Sequence, residues 1–256
     1  MLRFAPISIA APAPPPLGEE RESPCDSPGF QGEKRAIPQR WHPGLRAATA
    51  ACRHVELFAP GDDASGAALA LALADDATDD PTDHRAWLWV QDKAAIRLSG
   101  RPYRPGLPAR LRHRLIHVAA DRPEDALFAL EEALRCRDLA FVIGEIAGNP
   151  AALTFTTARR LSLVAQRHGV PLWLVRLAAR HDPGSARMRW DVAAAPSPPP
   201  RWNRDAPGDP RWRADLFRAH VFQPGQWTLG HDSFADPTLS CREVCTGPLP
   251  HPTTQR

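Results

Sequence analysis

Lysine is almost missing from this chain. Only Lys34 and Lys93 occur among 32 basic residues in 256, the other 30 being arginine. A GC-rich coding sequence accounts for the bias, but any role that needs a lysine must then be filled from two positions. Cysteine is also sparse. Cys25, Cys52, Cys136, Cys241 and Cys245 are odd in number, and the C-x3-C spacing at the end lacks the second pair of a zinc site. The ten histidines form no ligand-spaced pair, so no metal and no cofactor is expected. No serine, cysteine and histidine arrangement reads as nucleophile and base, which leaves no catalytic residue to name. Apolar runs of 18 residues are absent, and Pro6, Pro12 and Pro14 to Pro16 interrupt the N-terminal stretch. Neither a membrane span nor a secretory signal is expected, and reduced thiols in the cytoplasm are. The net charge of +3 is too small to argue for a partner by itself.

What is present is an apolar content of 43%, enough for a packed core. The 29 prolines are uneven: nine lie between Pro6 and Pro43 and six between Pro196 and Pro210. Residues 1–43 read as a disordered proline-rich leader, in part translated from a misplaced start codon. Residues 44–232 read as the domain, with a proline-rich loop at 195–210, and residues 233–256 as a disordered tail.

Strands alternate with helices through that domain. His54–Ala59 is the first strand, followed by a glycine-bounded turn and a helix over 67–74, where only Ala and Leu occur. Strands are expected at 86–90 and 115–119. A helix over 121–136 follows, with Asp121 as N-cap, Glu124 completing a capping box, and Leu127, Leu130 and Leu134 as the buried stripe. The run 139–143 reads as a central parallel strand. A helix over 156–168 buries Leu161, Val164 and Ala165 and ends at Gly169, and 170–177 is a further buried strand. The pattern implies an α/β fold, a mostly parallel sheet with helices on both faces. Segments 188–192, 212–222 and 227–231 add antiparallel strands.

The turn Gly61-Asp62-Asp63-Ala64-Ser65-Gly66 has the frame of a phosphate-binding loop. That chemistry needs backbone N–H groups, a lysine for the phosphate charge and a hydroxyl for magnesium. Ala67 and Ala68 stand at the lysine and hydroxyl positions, and Asp62 and Asp63 sit where phosphate would approach. One carboxylate about 4 Å from a phosphate charge costs ~4 kcal/mol at an effective dielectric of about 20. The frame survives and its chemistry is reversed, so no nucleotide hydrolysis is expected.

From Val55 to Leu177 the order of segments resembles RecA recombinases. Val55-Glu-Leu-Phe-Ala-Pro-Gly61 is similar to the strand leading into their nucleotide loop. Lys93 stands near their catalytic glutamate, and Glu145 at a Walker B-like position. The closer resemblance is to the ImuA family, RecA-like proteins of bacterial DNA-damage mutagenesis cassettes. It is carried by Trp89-Val-Gln-Asp-Lys93 with Ser-Gly-Arg-Pro-Tyr103, by residues 122–136, by Val142-Ile-Gly-Glu145 and by Thr157-Ala-Arg-Arg-Leu161. Arg211-Trp-Arg213 and Pro224-Gly-Gln-Trp227 resemble its C-terminal half. The resemblance implies a non-catalytic accessory factor of SOS-induced, error-prone translesion synthesis. It would work beside an ImuB-like polymerase homologue and an error-prone polymerase, with RecA or single-stranded DNA as further partners. The alternatives are an ATPase with an unorthodox loop and a cell-division inhibitor of the SulA type, which the long Arg/Trp-rich C-terminal half argues against.

Arginine stands beside tryptophan at Arg189-Trp190, Arg201-Trp202 and Arg211-Trp212-Arg213. Single strands are held by such pairs, arginine on phosphate and aromatic ring on base. Trp190 and Trp212 also fit core strand positions with arginines alternating outward. Trp202, in the proline-rich loop, is the expected exposed anchor, with Arg189, Arg201, Arg204, Arg211 and Arg213 as contacts.

Overall fold

The computed structural model describes residues 52–77, 82–197, 199–200, 203, 205–206, 208–220, 224–231 and 239–243. The chain enters through β1 (His54–Ala59), buried at every position and paired along both its edges. It returns as β2 (Ala86–Asp92), β3 (Leu115–Ala120), β4 (Leu139–Ala147), β5 (Leu172–Leu177) and β6 (Met188–Ala194), then β7 (Arg211–Ala219), β8 (Gly225–His231) and β9 (Leu239–Glu243). These form one nine-stranded sheet in the order β3-β2-β4-β5-β1-β6-β7-β8-β9. Pairing is parallel from β3 to β6 and antiparallel from β6 to β9.

Helices cover both faces of the parallel part. On one face α1 (Ser65–Ala77) packs with Leu57, Trp87, Phe141, Trp173 and Trp190 in the larger core. The chain then crosses the sheet edge through α2 (Lys93–Ser99), a 3-10 turn at Arg104–Gly106 and α3 (Ala109–Arg112). On the other face lie α4 (Pro123–Arg135) and α5 (Phe155–His168). Their Leu127, Leu130, Leu134, Leu161 and Ala165 are buried against Val90, Val142, Leu172 and Leu174. The expected leucine stripe is therefore in place. Leu130 packs so closely on β4 that a Cβ at Gly144 would lie 2.9 Å from its Cδ1. Gly169 ends α5 with φ +76, a left-handed turn that glycine adopts without strain.

Several expectations need correction. The N-cap of α4 is Arg122, not Asp121, and no side chain caps it. Pro123 at the first helical position fixes the start one residue later and needs no N–H partner. Asp121 is exposed and pairs with Lys93 at 3.3 Å. Residues 239–243, read as part of an aperiodic tail, form β9 on β8. The leader at 1–43 lies outside the described residues, as does most of 233–256.

Candidate functional site

The loop after β1 opens at the carboxyl end of the parallel strands, where ligands of such sheets bind. Gly66 is required there by proximity: a Cβ would stand 2.6 Å from the Ala59 Cβ and 2.9 Å from Val175 Cγ1. That contact seats the start of α1 directly on β1 and β5. Ala67 is buried in the core and Ala68 packs against it, so neither position offers a polar group. Asp63 does what an anion would do in such a loop. Its Oδ1 accepts the Ser65 N–H at 2.8 Å and the Ser65 hydroxyl as well. A helix N-terminus carries unsatisfied N–H groups and partial positive charge, and a carboxylate there is favourable. Asp62 is exposed beside it.

Glu145 in β4 is buried and fully engaged. It accepts hydrogen bonds from Trp89 Nε1 at 3.1 Å and Gln91 Nε2 at 2.6 Å, and from the Ser99 hydroxyl at 2.8 Å. Burial pushes its carboxyl pKa up, against the pull of these donors. Asp92, at the end of β2, is also raised by burial, and its Oδ1 caps α2 through the Ala95 N–H at 2.6 Å. Both buried acids hold helix α2 to the sheet. Lys93, the one described lysine, is on the surface with Asp121.

The arginine–tryptophan pairs divide. All six described tryptophans, Trp87, Trp89, Trp173, Trp190, Trp212 and Trp227, are at most 6% exposed, so none of them can stack on a base. Arg189 was expected as an outward contact and is 3% exposed. Its Nε donates to Glu56 at 2.7 Å and its guanidinium lies 4.9 Å from the centre of the Phe58 ring. The alternation of β6 turns it away from Trp190, but toward a second buried face and not toward water. Arg176, Asp182 and Phe217 complete that cluster. Burial opposes the ionisation of Asp182, yet its bonds with Arg176 and Asn149 outweigh this and hold its pKa below the usual range. The signal in the sequence was an acid and a histidine, Glu56 and His54, in an otherwise apolar strand. Arg211 is half-buried and Arg213 exposed, while Arg201, Trp202 and Arg204 lie outside the described residues.

Arg213 is nonetheless brought to the loop. It lines an open cavity of about 600 Å³ with Pro60, Phe58, Asp191, Asp215 and Gln226. His181 Nε2 meets Asp191 at 2.7 Å and Gln226 donates to Asp215 at 2.7 Å. The cavity thus joins the end of β1 to the antiparallel extension, and its walls mix apolar side chains such as Phe58, Pro60 and Val192 with the charged or polar Asp191, Arg213, Asp215 and Gln226.

No protein-family model matches the chain. Two curated proteins do, both named Protein ImuA, from two strains of Caulobacter vibrioides. Each is 33% identical over 159 residues, 56% of this chain. The chain spans 59% of the length of these relatives. Over the matched residues the chain is similar to ImuA.

Proposed function

We propose that this protein is a non-catalytic, RecA-like accessory factor of damage-induced, error-prone translesion DNA synthesis, acting by holding partner proteins. The observation that carries the non-catalytic reading is the Asp63 carboxylate seated on the first turn of α1. A nucleotide would have to displace it and bring its own negative charge beside Asp62, with alanine at both helper positions. The RecA-like assignment is supported by the parallel strands β3 to β6 and by the glycine-bounded loop between β1 and α1. The mutagenesis reading rests on the likeness to ImuA. Its partners would be an ImuB-like polymerase homologue and an error-prone polymerase, with RecA or single-stranded DNA beside them. No helix among the described residues is long and apolar enough to cross a membrane, in keeping with work in the cytoplasm.

Two measurements test this. Calorimetric titration with magnesium-ATP should show no binding at millimolar nucleotide, and micromolar affinity would overturn the non-catalytic reading in favour of an unorthodox ATPase. Deleting the gene should abolish damage-induced mutation without changing survival of undamaged cells. Filamentation on overexpression, with mutation rates unchanged by deletion, would favour the SulA-type reading instead.

A further inference from the structure

Residues 93–120 hold seven of the 32 lysines and arginines and none of the 29 carboxylates, leaving 25 cations against 29 acids elsewhere. The positive charge is therefore concentrated in one segment. It runs through α2, the 3-10 turn and α3 into β3, the strand at one edge of the sheet. Part of it fastens the segment down. Arg110 pairs with the buried Asp75 at 2.7 Å. Arg112 donates to the carbonyls of Pro105 and Leu107, and Arg114 to those of Asp83, Arg85 and Arg110.

Arg101 and Arg104 are different. Both are exposed, and among the described residues neither has a carboxylate partner. Arg104 is anchored by one hydrogen bond from Nη2 to the Leu115 carbonyl at 3.1 Å. Burial lowers the pKa of His117 in β3, and the charges of Arg101 and Arg104 lower it further. Between them stands Tyr103, the chain's one tyrosine, 75% exposed. Pro102 and Pro105 restrict the backbone on either side of it. One side of its ring rests on Gly106, where an added Cβ would lie 3.2 Å from Cδ1 and 3.8 Å from Cε1. The ring thus touches the turn along one edge and leaves most of its surface to solvent. Exposed Leu98 and Ile116 add apolar surface to the same segment.

The geometry points to a binding surface for single-stranded nucleic acid at Arg101, Tyr103 and Arg104, the guanidiniums taking phosphates and the tyrosine ring a base. Charge alone would also suit an acidic peptide, but a peptide has no need of a flat ring set between two cations on a proline-braced turn. An unpaired strand offers both phosphates and open base faces. This inference does not depend on the mutagenesis reading or on the C-terminal arginines.

The test is fluorescence anisotropy of a labelled oligothymidylate with the full chain, from low to physiological salt. Wild type should bind with affinity that falls steeply as salt rises. Arg101→Glu, whose side chain makes no hydrogen bond or ion pair among the described residues, should weaken binding by about tenfold or more and lower the log–log salt slope by about 0.7 for each phosphate no longer neutralised. Tyr103→Ala should weaken it about 5-fold or more with the slope unchanged. Arg159→Glu, the same reversal on the exposed face of α5, should leave affinity near wild type, and circular dichroism should show all variants folded. No binding at low salt would overturn the proposal. So would an Arg159→Glu defect equal to that of Arg101→Glu, or a Tyr103→Ala variant that binds like wild type. A labelled acidic peptide that binds where the oligothymidylate does not would assign the surface to a protein partner.

Discussion

Glu145, expected at a Walker B-like position, has each of its hydrogen bonds spent on the fold. Trp89 and Gln91 donate to one oxygen, and the Ser99 hydroxyl meets the other. A glutamine satisfies the same set: its oxygen accepts both donors, and its amide donates to Ser99, whose hydroxyl still bonds the Ala95 carbonyl. Glu145→Gln should therefore fold normally and retain function, as a catalytic acid would not. Its effect on stability has a definite sign. Burial raises the folded pKa of Glu145 above its ordinary 4.5. Below that value both folded and unfolded chains are protonated and the shift contributes nothing. As pH climbs past it the unfolded chain ionises first, so the wild type loses stability until the folded pKa is passed. The stability gain of Glu145→Gln over wild type should thus grow as pH rises above 4.5, measured by urea denaturation at a series of pH values. A constant difference would mean that burial does not raise the pKa of this carboxyl. A neighbouring pair tests packing. Leu130 is fully buried, and Leu130→Ala should cost ~2–5 kcal/mol. Gly144→Ala should also destabilise, because its Cβ would press on Leu130 and Leu174 at 2.9 to 3.0 Å. The double variant should cost less than the two singles together, since each change makes room for or fills the other.

Strand β6 is the seam between the parallel core and its antiparallel extension, and Glu56–Arg189 is the charge pair that ties it to β1. Taking Glu56 away leaves a guanidinium buried with Asp182 as its remaining acid. Glu56→Gln should cost ~3–5 kcal/mol, whereas Glu56→Leu combined with Arg189→Met should cost much less, because the apolar pair needs no desolvated charge. Equal losses in the two variants, read from denaturant midpoints, would show that the pair itself is not what holds the seam. This element also marks how far the sequence was legible. Strands β4 and β5 were readable because burial on both faces demands continuous apolar runs, and α4 because three leucines fall on one helical face. Arg189 was misread because period-2 alternation separates two faces without saying that either meets water. In β6 the second face meets Phe58, Phe217 and Glu56 instead. Strand β9 escaped notice because Leu239-Ser-Cys-Arg-Glu243 at a sheet edge lacks the apolar run that identified the inner strands.

Across the whole molecule, the alternation of strands and helices made the α/β class legible, and the missing lysine and hydroxyl of the loop were legible at Ala67 and Ala68. The placement of a docking surface was not, because complementarity to a partner leaves no periodicity in one chain. The fold brings Arg213 to the cavity beside Pro60. If partners dock there, the exposed side of the C-terminal extension carries the function while the loop itself is free to vary. Gly66→Val is an unsuitable probe of that freedom, since any side chain at Gly66 collides with Ala59 and Val175 and would unseat α1. Asp62→Ala is suitable, being exposed and outside the contact that Asp63 makes with Ser65. Interface anchors such as a tryptophan or arginine commonly cost ~2 kcal/mol or more on truncation, about thirtyfold in affinity. Trp202→Ala and Arg213→Glu should therefore each weaken binding to the polymerase-like partner by about that factor and lower damage-induced mutation. Asp62→Ala should leave both at wild-type levels, with circular dichroism confirming that all three fold. If Asp62→Ala abolishes mutation while Arg213→Glu and Trp202→Ala behave as wild type, the function resides in the loop and the extension is only the frame that supports it.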